Sequence, residues 1–237
     1  MSPSPAHGAL LRRADLEGPV LAVAPRLLGT HLTTVLRDGI VTVRVTEVEA
    51  YDGAEDPGSH AFRGRTDRNA VMFGPAGRLY VYRHLGLHHC ANVVTGRPGG
   101  ASAVLVRAGE VVEGKDLARA RRTLSGVART DVDLARGPAR LAVALGIDLA
   151  LGGTDVLDAG SPVHLTEGTA PATWSMGPRV GVAGPGGDAE RFPWRFWLPH
   201  EPTVSAYRPG RAARPDRASG ASRAARTSPR DGAGTAH

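Results

Sequence analysis

Glu47 and Glu49 stand two residues apart in the run VTVRVTEVEAYDG, which begins at Val41. Read with the two-residue period of a β-strand, Val41, Val43, Val45, Glu47, Glu49 and Tyr51 share one face, and two carboxylates continue an apolar stripe. A carboxylate at the end of such a stripe is partly desolvated, which raises its proton affinity and makes it a candidate proton acceptor. The other reading is a strand that leaves the core and holds both side chains in water. Three of the four tyrosines, Tyr51, Tyr80 and Tyr82, also fall between Val41 and Asn92. Strands commonly carry such rings for packing alone. His84, His88, His89 and Cys90 are metal-ligand types. Zinc prefers spaced ligands in sets of four, and neighbours on a strand point to alternate faces, so no metal site is expected here.

The elements that must position these side chains follow from the patterning. Thr30–Leu36 and Ile40–Tyr51 read as a strand pair turned at Arg37-Asp38-Gly39, since Asp-Gly is a hairpin signal. Asp52–Asn69 is a long polar loop, of the kind that is usually functional or disordered; its Arg63, Arg65 and Arg68 could meet phosphates or simply be solvated. Arg78–His84 is the next strand, Gly86 breaks it, and Leu87–Thr95 continues as another. Ser102–Ala108 reads as a buried strand. Asp15–Leu28 reads as one helix interrupted at Gly18-Pro19, or as two short ones. Glu113–Leu124 is a helix carrying Lys115, Arg119, Arg121 and Arg122, a basic face for a polyanion or for solvent. Pro138 suits the first turn of a helix that runs to Leu145 and stops at Gly146. Val156–Leu157 and Val163–Leu165 read as short strands, and Arg179–Val182 and Arg195–Leu198 complete the body.

Several ordered motifs carry a resemblance. TEVEAYDG, GSHAFRGRTDRNAVMF and GRLYVYRHLGLHHCANVV, followed by LVRA at 105–108, RGPARLAVALGI at 136–147, GPRVGVA at 177–183 and RFWLP at 195–199, resemble the alkyladenine (3-methyladenine) DNA glycosylases of the single-domain type over roughly residues 10 to 208. The resemblance implies an α+β fold: one compact domain with a curved antiparallel β-sheet and peripheral helices. It implies an enzyme that turns an alkylated or deaminated purine out of duplex DNA and hydrolyses its N-glycosidic bond, with 3-methyladenine foremost and hypoxanthine a further candidate. Glu49 matches the catalytic carboxylate that activates the water, and Arg107 the arginine that helps hold it. Tyr51, His60 and Tyr82 match the rings around the flipped base, and Asn92 the side chain at the base edge; a turn-adjacent Asn bonding its own backbone is the plainer reading of Asn92. Leu85 stands where the family often has a Tyr as the DNA wedge. No metal or organic cofactor is implied, and the partner is double-stranded DNA containing damaged purines, met by a monomer. Lys115 is the sole lysine, which favours water over an amine nucleophile. A damage-recognising DNA-binding module without chemistry is the rival reading, against which Glu49 and Arg107 argue.

Composition sets the frame. At 237 residues, one domain with tails is the simplest organisation: a disordered stretch over 1–9, the domain over 10–208, and a disordered arginine-rich tail over 209–237. The chain carries +6, of which the tail's six arginines against Asp216 and Asp231 supply +4, so the body is only mildly basic. The lone Cys90 excludes an internal disulfide and suits a reducing compartment. No signal peptide or 18-residue apolar run is evident, so a cytoplasmic protein is expected, nucleoid-associated if the source is prokaryotic.

Overall fold

The computed structural model describes residues 8–124 and 126–210. The arginine-rich run from Arg211 onward and most of the 1–9 segment lie outside the described residues. The described chain is a single α+β domain built on one curled antiparallel sheet. Its strands are β1 (His31–Leu36), β2 (Gly39–Asp52), β3 (Leu79–His84), β4 (His88–Thr95), β5 (Ser102–Glu113), β6 (Val163–Thr166), β7 (Ser175–Gly177) and β8 (Arg195–Trp197). They run in the order β3-β4-β5-β2-β1-β6, with β8 on β2 and β7 on β8. Four short helices lie against the sheet: α1 (Arg13–Leu16), α2 (Val20–Val23), α3 (Lys115–Thr123) and α4 (Pro138–Leu145). None of these helices is long and apolar enough to cross a membrane.

The long strand β2 organises the sheet, and its alternation is not continuous. Against β5 the pairing steps from Val45↔Gly109 to Glu47↔Ala108 and then to Val48↔Val106. Thr46 on one strand and Arg107 on the other are therefore left over, as in a β-bulge. The extra residue switches the faces. Val41, Val43 and Val45 enter the main apolar core, and beyond the bulge so do Val48 and Ala50. Glu47, Glu49 and Tyr51 are thus turned away from the valine face, contrary to the unbroken alternation expected from sequence. They do not reach water either: both carboxylates have 0% exposure. The bulge is also where β2 changes neighbours. Its first half pairs β1 through Gly39–Arg44, and Glu47–Glu49 pairs β8. Gly109 permits the close approach of β5 there, since a Cβ at that position would lie 2.3 Å from Val43 Cγ1 and 2.4 Å from the Arg44 carbonyl.

Helix α4 starts on Pro138, ends at Gly146 with φ +69°, and buries Leu141, Ala142, Ala144 and Leu145 where it packs over β4 and β5. Helix α3 begins two residues later than expected, because Gly114 at φ +72° ends β5 and turns the chain; Glu113 belongs to the strand. Its cations face acids of this chain: Lys115 pairs with Asp131 at 3.6 Å, Arg121 with Asp38 at 2.6 Å, and Arg119 with Asp131. Ser102–Ala108 extends to Glu113 as β5. Val156–Leu157 is not a strand, and Ser175–Gly177 is a further short one.

The polar segment after β2 is tied down by a buried ion pair. Arg179 grips Asp56 with two bonds, Nη1 to Oδ2 at 2.6 Å and Nη2 to Oδ1 at 2.7 Å, both side chains being 0% exposed. The same guanidinium donates to the carbonyls of Ala50 and Gly186, so it joins β2, the polar segment and the 178–187 loop. Its carbon lies over the rings of Tyr51 at 4.5 Å, Trp194 at 5.4 Å and Phe192 at 5.6 Å. Removing one partner of a buried pair leaves an uncompensated charge and costs about 3–5 kcal/mol. Arg179→Met is therefore expected to lower the unfolding free energy by roughly that amount, read from the urea midpoint, whereas Lys115→Met at the exposed Asp131 pair should shift it by about 1 kcal/mol or less.

Candidate active site

The bulge delivers Glu47 and Glu49 to one region, where their surroundings differ. Glu47 accepts four hydrogen bonds: from Arg107 Nε at 3.0 Å, Arg195 Nε at 2.7 Å and the Ser205 hydroxyl at 2.9 Å on Oε1, and from the Ser205 N–H at 2.7 Å on Oε2. Glu49 accepts from the Val180 N–H at 2.7 Å and faces Arg107 Nη1 at 3.3 Å on Oε1, and it accepts from the Tyr51 hydroxyl at 2.8 Å on Oε2. An ionised carboxylate has about four acceptor positions. Glu47 takes four donors, three of them crowded on Oε1, whereas Glu49 takes three and keeps a position on Oε2 beside the Tyr51 hydroxyl. Glu49 also lines a cavity of about 390 Å³ that Glu47 does not line, a volume within the usual range for small-molecule sites.

Six of the seven side chains singled out from sequence, Glu49, Tyr51, His60, Tyr82, Asn92 and Arg107, come together as lining of that one cavity. Strand β2 supplies Glu49 and Tyr51, β5 supplies Arg107, β3 and β4 supply Tyr82 and Asn92, and His60 comes from the polar segment. The seventh, Leu85, stands apart at the tip of the β3–β4 hairpin, 80% exposed. There the Leu87 N–H returns to the His84 carbonyl at 3.0 Å, with Leu85 at φ +49° and Gly86 at φ +70°. Both central residues are left-handed, as a tight hairpin turn of this type requires. A leucine in that region costs about 1–2 kcal/mol, and the turn holds it outward beside an equally bare Leu87, 77% exposed.

The rings are held from behind. The Arg179 guanidinium covers one face of Tyr51, which leaves one face for any other partner. His60 meets Tyr82 edge to face, with centroids 4.5 Å apart and planes at 81°, and its Nδ1 lies 3.0 Å from the Tyr80 hydroxyl. Asn92, buried on β4, donates from Nδ2 to the Tyr80 carbonyl at 3.0 Å across the hairpin, not to its own backbone. Burial, and then the neighbouring Glu49 charge, push the Tyr51 phenol well above its ordinary pKa. Burial, and then Cys90, do the same for Tyr82; both phenols are neutral donors. Burial, followed by the charges of Arg68 and His84, lowers His60. For Arg107, burial works against the charge, but Glu49 and Glu47 outweigh it and hold the guanidinium above its ordinary value.

Sequence reasoning passed over several residues that this geometry depends on. Val180, Gly181 and Val182 close one side of the cavity, and Met72, Tyr80 and Cys90 complete other walls. GPRVGVA carried the first three as a motif without a role. Arg195 and Ser205 hold Glu47 from far along the chain, and no local signal pointed to Ser205. His84, His88, His89 and Cys90 do not gather: the described residues contain no cluster of three or more His, Cys, Asp or Glu side chains able to hold a metal ion. Lys115 lies by Asp131 at the start of α3 and does not line the cavity. Chemically, the arrangement is one buried carboxylate with a free acceptor position, flanked by a cation and walled by aromatic rings.

The comparison with known proteins agrees with this architecture. A family model described as methylpurine-DNA glycosylase (MPG) matches residues 14–202. A protein of Streptomyces avermitilis named "Putative 3-methyladenine DNA glycosylase" is 57% identical over 201 residues, covering 84% of this chain and 92% of its own. Proteins of the same name from Leifsonia xyli subsp. xyli and Frankia casuarinae are 55% identical over 190 residues and 46% identical over 224 residues; they cover 79% and 89% of this chain, and 88% and 100% of their own. A match that spans all eight strands, at this level of identity, places the chain in the methylpurine-DNA glycosylase family.

Proposed function

We propose that the protein is a monofunctional DNA glycosylase that releases alkylated or deaminated purines from duplex DNA, 3-methyladenine first and hypoxanthine second, with a water activated by Glu49. The observation that carries the reading is the unfilled acceptor position of Glu49 at the wall of an aromatic cavity. Family membership and the names of the relatives point to the same substrate class.

The chemistry follows from charge. A base stacked in a duplex is out of reach, so the nucleotide is turned into the cavity at a cost of a few kcal/mol. Stacking on Tyr51 and Tyr82 repays about 1–3 kcal/mol per ring contact. Rupture of the N-glycosidic bond sends its electron pair with the base and leaves an oxocarbenium-like sugar. A cationic alkylpurine departs neutral, whereas hypoxanthine takes a proton from water. Glu49 takes the proton of the attacking water on Oε2 and opposes the positive charge that develops on the sugar. Arg107 and the Val180 N–H keep Glu49 oriented. Tyr51 is too poor an acid to compete for the role. The exposed Arg63, Arg65, Arg68 and Arg83 bring cations to the phosphates around the cavity mouth; Arg68 lies 5.9 Å from the Tyr82 ring. Leu85 fills the gap in the stack. Lys115, the sole lysine, is away from the cavity, which supports water as the nucleophile.

The assay is release of free base from a duplex with one hypoxanthine, compared with free inosine. Release from the duplex and none from inosine is the expected result; tight binding without release would make the protein a recognition module instead. Glu49→Gln should lower single-turnover release by at least about 10²-fold while lesion-duplex affinity stays near the parent value. Leu85→Ala should weaken that affinity by roughly tenfold, the loss of about 1.4 kcal/mol of wedge contact, without lowering thermal stability, because the side chain touches solvent. His60 should titrate below the about 6.5 of an exposed histidine when followed by NMR, and Arg68→Ala should move the midpoint upward, since a nearby cation has been removed.

A further inference from the structure

Arg107 is the side chain through which this site is oriented, and each of its three nitrogens has its own partner. Nε donates to Glu47 at 3.0 Å, Nη1 faces Glu49 at 3.3 Å, and Nη2 donates to the Ser205 hydroxyl at 3.3 Å. A guanidinium is a rigid planar fork, so two anchored nitrogens fix the direction of the third. The two anchors are themselves joined: Ser205 donates to Glu47 through both its hydroxyl and its N–H. Arg195 then locks the arrangement, with Nε on Glu47 at 2.7 Å and Nη2 on the Ser205 carbonyl at 2.7 Å.

Ser205 sits on a strap, residues 201–208, that crosses the far side of the site. The strap is pinned at five places along its length. Glu201 pairs with Arg44 at 2.7 Å, and the Thr203 hydroxyl meets that of Thr46, the extra residue of the bulge, at 2.9 Å. The Val204 carbonyl accepts from Arg136 Nε at 3.0 Å, Ser205 holds Glu47, and the Arg208 carbonyl accepts from the Gly181 N–H at 2.8 Å. Gly181 follows Val180, whose N–H holds Glu49. The strap therefore reaches both donors of Glu49 Oε1, Arg107 through Ser205 and Val180 through the Gly181 loop.

We propose that Glu47 and Ser205 are positioning residues for base release, acting through Arg107 to aim its Nη1 at Glu49. The inference rests on the functional reading above. Glu47, held by four donors and outside the cavity, is an anchor. Ser205 closes the anchor and sets the tilt of the guanidinium plane. Loss of either anchor lets the fork rotate, and Glu49 loses a fixed donor at Oε1, the oxygen that holds its carboxylate in place while Oε2 accepts the water's proton.

The test is a double-mutant cycle on full-length protein, reading single-turnover hypoxanthine release and lesion-duplex affinity separately. Ser205→Ala removes one hydroxyl and should slow release about tenfold, with affinity within about twofold of the parent. Ser205→Thr, which restores the hydroxyl, should recover most of the rate. In an Arg107→Lys background, where a point charge replaces the fork, Ser205→Ala should cost less than about twofold more. Glu47→Gln should show the same coupling with a larger loss; if it fails to fold, the serine variants decide. A Ser205→Ala enzyme as fast as the parent would overturn the proposal, as would an equal loss in both backgrounds, which would mark a merely structural contact. If instead the parent releases no base, the functional reading has failed. If the parent and Glu49→Gln behave as expected while Ser205→Ala is unaffected, only this inference has failed.

Discussion

Two carboxylates with no solvent exposure, two residues apart on one strand, set the terms for this domain. An isolated buried charge costs several kcal/mol, and it persists only where opposite charge and hydrogen bonds meet it. Much of the surrounding architecture is explained by that demand. Arg107 is shared between Glu47 and Glu49, Arg195 joins on the Glu47 side, and Tyr51 and the Val180 N–H join on the Glu49 side. The division is unequal. Glu47 takes the larger share of donors and becomes part of the frame, while Glu49 is left with unused capacity at the cavity wall. A difference in hydrogen-bond count, not in residue type, separates the two carboxylates.

The Arg179–Asp56 pair repeats the principle on the other side of Tyr51. Its geometry is bidentate, and burial of the guanidinium against Tyr51, Phe192 and Trp194 adds cation–π contact. Such pairs are rarely a net source of stability compared with an apolar replacement. What this one provides is location. It ties the loop that carries Val180 to the end of β2, so the aromatic wall and the carboxylate are fixed by a common anchor. The cavity is in consequence a polar construction set into an apolar sheet: Val48 and Ala50 pack into the core from the same strand that presents Glu49 and Tyr51 to the opposite side.

The parts of this arrangement that were legible in the sequence are those with short-range signals. The Asp-Gly turn between β1 and β2, Pro138 and Gly146 at the ends of α4, and the Gly86 break all act within a few residues, and the structure places the elements accordingly. The motifs brought Glu49, Tyr51, His60, Tyr82, Asn92 and Arg107 to one cavity. The bulge was not legible. Alternation is a counting rule, and one leftover residue at Thr46 inverts everything after it; the partner that decides the register, β5, lies far along the chain. The start of α3 was missed because Glu113 suits a helix as readily as a strand, and only the left-handed Gly114 decides. The role of Glu47 depends on Arg195 and Ser205, whose sequence separations of 148 and 158 residues leave no local trace.

That last separation bears on how the protein is made. Strand β2 leaves the ribosome early, with its two carboxylates, but the residue that completes the Glu47 cage comes 158 positions later. At about 5–20 residues per second, the interval is on the order of ten to thirty seconds. Until it has passed, Glu47 lacks two of its four donated hydrogen bonds. A nascent chain short of the strap therefore has the aromatic residues of the cavity but not the full set of donors on Glu47, which is complete only once residue 205 has been made.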